Sequence, residues 1–125
     1  MARSEELIFT LEEEGISPID KIKCMEGNDS VKLVSALNDS ELIIRIKAIY
    51  GFHCVPDNEY EPYDVYYITA QSGEKYRTSS KYLIDKIKEL KGKVDSIGES
   101  IFNLDIKILG QKGNSEQKFL TAVIA

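Results

Sequence analysis

The sequence predicts a small, mainly β domain: a five-stranded barrel with one helix between its third and fourth strands and a short helix or arm at its N-terminus. Three observations carry this. The 125 residues, 42% of them hydrophobic, suffice for one modest core but not for two. Short runs alternate apolar and polar residues and are separated by Gly, Asn, Asp, Ser and Pro, the signature of strands and turns. A stretch near residue 80 carries apolar residues at helical spacing.

The leader SEELIFTLEEEGISP offers Ser4 as a helix cap, Leu7, Ile8 and Leu11 on one face, Gly15 as a stop and Pro18 beyond it. A short helix or arm over residues 1–18 is expected, with the remaining residues 19–125 forming the barrel domain. Glu12, Glu13 and Glu14 close the leader with the wrong sign for the C-terminal end of a helix dipole, so its helicity in isolation is weak.

From Ile19 the period changes to two, with Ile22 and Cys24 alternating against Lys21 and Lys23; Gly27, Asn28, Asp29 and Ser30 then turn the chain into Val31 to Val34. This reads as a bent first strand. The long run ELIIRIKAIYGFHCV puts Leu42, Ile44, Ile46 and Ala48 on one face, with a bend expected at Gly51. A loop, PDNEYEPY, leads into DVYYITAQ, and Ser72-Gly73 turns that strand into EKYR. Tyr66 and Tyr67 must face opposite ways; Tyr66 and Tyr82 are expected in core or helix packing.

Thr78, Ser79 and Ser80 cap KYLIDKIKELKG, where Leu83, Ile84, Ile87 and Leu90 recur at helical spacing and Gly92 offers a stop. IFNLDIKIL, with Phe102, Leu104, Ile106 and Ile108 on one face, and KFLTAVIA complete the strands. Three strands, a helix and two strands is the order of the OB-fold, a partly open barrel that often binds oligonucleotides.

Several function classes are excluded or disfavoured. With one His and no P-loop, GxSxG, HExxH or dinucleotide-type glycine pattern, the chain is not expected to be an enzyme, and no cofactor or metal is expected. Cys24 and Cys54 lack a CxxC or His-spaced companion and read as reduced core residues. No run approaches the roughly 20 apolar residues of a membrane span, and Glu5 and Glu6 stand where a secretory signal is basic and apolar, so a bacterial cytoplasm is the expected location.

The net charge of −5 is unevenly spread. Residues 1–20 hold Glu5, Glu6, Glu12, Glu13, Glu14 and Asp20 against Arg3, which accounts for all of it. The remainder is neutral, and between Lys75 and Lys93 seven bases face only Asp85 and Glu89. Binding a single strand requires Lys and Arg along a groove and aromatic faces for stacking. Lys21, Lys23, Arg45, Lys47 and Tyr67 share an outward parity if Ile22, Ile44 and Ile68 point inward. Tyr50, Phe52, Tyr60 and Tyr76 fall at strand ends and loops. Single-stranded DNA is therefore the expected partner, with bases on Tyr50, Tyr60, Tyr67 and Tyr76 and phosphates on Arg45, Lys47, Lys75 and Arg77.

Across KIKCMEGNDSVKL, NDSELIIRIKAIYGF, DVYYITAQSGEKYRTSSKYLIDKIKEL, IFNLDIKIL and KFLTAVI, the chain resembles the single-stranded DNA-binding proteins of protein-primed bacteriophages. The family's strand-end tyrosine looks like Tyr50, its loop tyrosine like Tyr60 and its post-hairpin tyrosine like Tyr76. The resemblance implies non-specific coating of displaced strands during replication. The hairpin here reads SGEKY where the family has an Asp, and the acidic leader has no counterpart there; it is expected as a self-association arm or an intramolecular mimic of DNA. Two rival readings stand beside it: a small phage-type inhibitor or interaction module whose acidic N-terminus occupies a host protein's nucleic-acid groove, and a sponge for a small nucleotide messenger, suggested by a barrel with Tyr and Arg but no catalytic set.

Overall fold

The computed structural model describes residues 4–57, 61–112 and 118–125, without the side chains of 111, 112, 118 and 119. The chain is mainly β and forms a curled half-barrel. Its seven-stranded sheet runs β2 (Val31–Lys32), β5 (Lys75–Thr78), β4 (Tyr63–Ala70), β3 (Glu41–Val55), β6 (Asp105–Lys112) and β7 (Lys118–Ile124), with β1 (Ser4–Glu12) also paired to β3. Seven strands stand where five were expected. EKYR is a strand in its own right, β5, and the leader is another.

The leader does not form a helix. Phe9 and Leu11, two apart, turn into the core while Ile8 sits in a bulge, and β1 lies antiparallel along β3 from Ser4 opposite Val55 to Glu12 opposite Ala48. The cost of glutamates at a helix C-terminus disappears in a strand, which has no comparable dipole.

The expected first strand is instead helix α1 (Pro18–Met25). Ser17 caps it by accepting a hydrogen bond from the Asp20 N–H at 3.1 Å, Pro18 takes the first turn and Asp20 adds a favourable charge there. Three coincident start signals outweigh a four-residue alternation. The second apolar piece shrinks to β2, followed by the single-turn helix α2 (Leu33–Ala36).

Helix α3 (Lys81–Ser96) lies after the β4–β5 hairpin and before the last two strands. Ser80 caps it by accepting from the Leu83 N–H at 3.2 Å. It continues through Gly92 and ends at Gly98, whose φ of 77° allows the Glu99 N–H to reach the Val94 carbonyl and the Gly98 N–H that of Asp95. Leu83, Ile84, Ile87 and Val94 join Ile44, Ile46, Ile49, Tyr66 and Ile68 in the main core, and the helix lies along β7. Phe102 falls in a 3-10 turn, Ile101–Asn103, while Ile106 and Ile108 reach the core from β6. Among the described residues no helix is long and apolar enough to cross a membrane.

The bulge of β3 against β4 is at Lys47, ahead of Gly51. The register against β4 slips between Ile46 and Ala48, so Lys47 is the extra residue and the side-chain parity reverses there. Ile44, Ile46 and Ile49 face the main core, whereas Ala48 and Tyr50 face a second cluster with Cys24 of α1. Gly51 has another task. It lies opposite Tyr66, and a Cβ at position 51 would come within 2.5 Å of the Tyr66 ring. The ring occupies the space above the glycine and meets Phe9 edge-on at 6.2 Å. Gly51→Val is therefore expected to destabilise the fold by about 1–3 kcal/mol in urea unfolding, with part of the loss recovered when Tyr66→Leu is combined with it.

Candidate nucleic-acid interface

Cross-strand register gathers several of the expected binding residues on the outer face of the sheet. Tyr50 lies opposite Tyr67, Tyr67 opposite Arg77, and Arg77 beside Lys32. Directly opposed residues project from the same face, so these four form a row across β3, β4, β5 and β2. Lys75, two residues before Arg77, shares that face.

Helix α1 and the turn after it lie over this row. Cys24 packs with Ala48 and Tyr50, flanked by Ile16, Met25 and Phe52. Gly27 sits so close to Tyr67 that a Cβ would meet the ring at 2.6 Å. The Lys75 ammonium donates to the Lys23 carbonyl at 2.7 Å. Arg77 Nη1 donates to the carbonyl of Ser30 and to its Oγ, the latter at 3.3 Å.

The expected residues therefore differ in what they can offer a strand. Tyr50 is 1% exposed, and its hydroxyl donates to Glu12 Oε2 at 2.5 Å. It has no face on which a base could stack in this arrangement. Tyr76 is on the opposite side of the sheet, in the main core, donating to Glu74 at 2.6 Å; burial first and then Glu74 push its pKa up to about 12. Tyr67 is half-buried and tilted against Phe52, with ring centroids 6.0 Å apart. Tyr60 lies outside the described residues. Tyr66 is buried as expected, but Tyr82, expected to pack, is 63% exposed beside Lys81.

Charge separates the cations into two groups. Arg45 pairs with Asp105 at 3.2 Å, Lys47 with Asp20 at 3.5 Å and Glu13 at 4.0 Å, and Lys21 with Glu12 at 3.1 Å. The acidic leader thus meets the cations near the β3 bulge. Among the described residues, Lys23, Lys32, Lys75, Arg77, Lys81 and Lys88 have no carboxylate within ion-pair distance. Four of them, Lys32, Lys75, Arg77 and Lys81, belong to β2, β5 and the start of α3, and give that flank cations free of direct ion pairs. Lys32 was hidden in a run read as apolar, and Lys81 belongs to the basic stretch from Lys75 to Lys93 but is not among the expected binding residues.

His53 Nδ1 and Asp64 Oδ1 stand 2.7 Å apart as a cross-strand pair, but the neighbouring Cys54 is buried and points to the other face. No thiol–imidazole pair forms there. Among the described residues no group of three or more His, Cys, Asp or Glu side chains could hold a metal ion. The chain matches no known protein-family model, curated protein or solved structure.

The Tyr50–Glu12 contact couples the fold to pH. The Tyr50 hydroxyl, ahead of Lys21, holds the Glu12 carboxyl below its ordinary value of 4.5, while burial and Glu12 push the Tyr50 phenol up. An acid depressed in the folded state stabilises that state above its unfolded pKa and loses this contribution as pH falls through the folded value. The urea midpoint of the parent is therefore expected to fall more steeply on acidification below 4.5 than that of Tyr50→Phe.

Proposed function

We propose that this chain binds single-stranded nucleic acid, DNA foremost, without sequence preference, and coats displaced strands during replication of a phage or mobile element. The observation that carries the reading is the set Lys32, Lys75, Arg77 and Lys81, which have no carboxylate partner among the described residues, in a chain of net charge −5. A cation already paired with a carboxylate must surrender that pair to meet a phosphate; these four need not. Tyr82 beside Lys81 and the half-buried Tyr67 supply aromatic surface next to them, and the half-barrel plays the part of the open oligonucleotide-binding barrel. In this reading Tyr76 packs beneath the site, Tyr50 is covered by α1 at its side, and Arg45 and Lys47 fall outside it.

A second reading, a module that docks on a host protein, draws on β1, whose Glu5, Glu6, Leu7 and Ile8 are all exposed. Deleting the leader would remove Phe9 and Leu11 from the core. Charge reversal at Glu5 and Glu6 is the cleaner probe of that surface.

Phosphate neutralisation releases counterions, and each contact to a single strand adds about 0.7 to the slope of log K against log salt. With labelled oligo-dT in fluorescence anisotropy, the Lys32→Ala, Lys81→Ala double variant is expected to bind about tenfold or more weakly at low salt, with a slope shallower by roughly 1.4. Lys47→Ala should leave both nearly unchanged. Equal binding by parent and double variant would move the site elsewhere.

A further inference from the structure

Beside the row of cations a pocket of about 230 Å³ opens between β2, α2, β4, β5 and the turn before α3, lined by Lys32, Val34, Val65, Arg77, Thr78 and Ser79. From this geometry we infer that the pocket is an anchor for a phosphate monoester, the terminal phosphate of a strand or of a free nucleotide. As far as the phosphate belongs to a strand end, the inference rests on the function proposed above.

Size sets the first limit. Sites that enclose whole drug-sized ligands measure roughly 300–1,000 Å³. The pocket is smaller and takes a group at the end of a molecule.

Charge sets the second. Lys32 and Arg77 are the charged residues of the lining, and both are cations. A phosphodiester carries one negative charge, whereas a phosphate monoester carries about −1.5 to −2 at pH 7. Two cations in one pocket match the monoester. The neighbouring cleft of about 350 Å³ makes the contrast, because its lining sets Asp29 and Glu74 beside Lys75 and has no surplus of cations to hold a phosphate inside it.

Donor geometry gives the third argument. Ser30 engages Nη1 of Arg77 and thereby orients the guanidinium. The N–H groups on Nε and Nη2 have no partner among the described residues and form the edge that grips two oxygens of one phosphate. Lys32 adds a mobile point charge, and the Ser79 hydroxyl adds a donor. Val34 and Val65 replace water on the remaining wall, which strengthens the attraction.

The test uses oligo-dT strands of one length, internally labelled, bearing a 5′-phosphate, a 3′-phosphate or hydroxyls at both ends, with thymidine monophosphate and inorganic phosphate as competitors. The full chain is expected to bind at least one phosphorylated strand about tenfold more tightly than the hydroxyl strand. Lys32→Gln, at an exposed position whose loss leaves the Arg77–Ser30 tether intact, should reduce that ratio towards one. Equal binding of all strands by the parent would overturn the anchor and leave single-strand binding standing. Binding of thymidine monophosphate or inorganic phosphate, weakened by Lys32→Gln, with no binding of any strand would support the pocket and overturn strand coating. No binding of any probe would overturn both.

Discussion

Strand β3 is the member on which the rest of the molecule depends. Over fifteen residues it pairs with β1, β4 and β6, and the extra residue Lys47 breaks its register against β4 partway along. An inserted residue bends a strand and reverses which side chains face inward. Ahead of the bulge Ile44 and Ile46 enter the main core; past it Ile49 does, and Ala48 and Tyr50 turn to the other face. The half-barrel and its second, smaller core follow from that reversal. Without it, Tyr50 would compete with α3 for the interior.

The second core explains why the outer face is only partly open. A large apolar ring at position 50 on the outside of a sheet needs cover, and α1 supplies it through Cys24 and Met25, with Ile16 from the turn before it. Its hydroxyl then needs a partner, which the partly exposed Glu12 provides from the neighbouring strand. Glu12 in turn holds Lys21. One aromatic residue thus ties β1, β3 and α1 together. The leader is bound into this arrangement and does not hang free.

The same arrangement divides the charge. Acids of the leader and α1 lie against Lys21 and Lys47, and Asp105 and Glu41 take Arg45 and Lys107. Cations on β2, β5 and the start of α3 meet carbonyls or solvent instead. Carbonyl contacts orient a cation without cancelling its charge. A chain of negative net charge therefore keeps a positive flank, and net charge alone is a poor guide to its partners.

Much was legible in the residues themselves. The mainly β character, the β4–β5 hairpin at Ser72-Gly73, the caps and apolar spacing of α3 and the opposed faces of Tyr66 and Tyr67 all rest on interactions within a few residues, and local signals suffice for those. The sequence also determined the charge asymmetry and the basic stretch from Lys75 onward. Tertiary structure decided the rest. The leader became a strand because β3 offered it an edge, and the helix at residues 18–25, started by its own local caps, found its place over a sheet face that needed cover. The site followed the same division: register across four strands put Tyr50, Tyr67, Arg77 and Lys32 in one row, while burial withdrew Tyr50 and Tyr76 and ion pairing occupied Arg45 and Lys47. Periodicity states which side chains share a face of one element. Which faces meet, which are covered and which charges find partners depend on contacts between residues far apart in the chain, and only the folded molecule sets those.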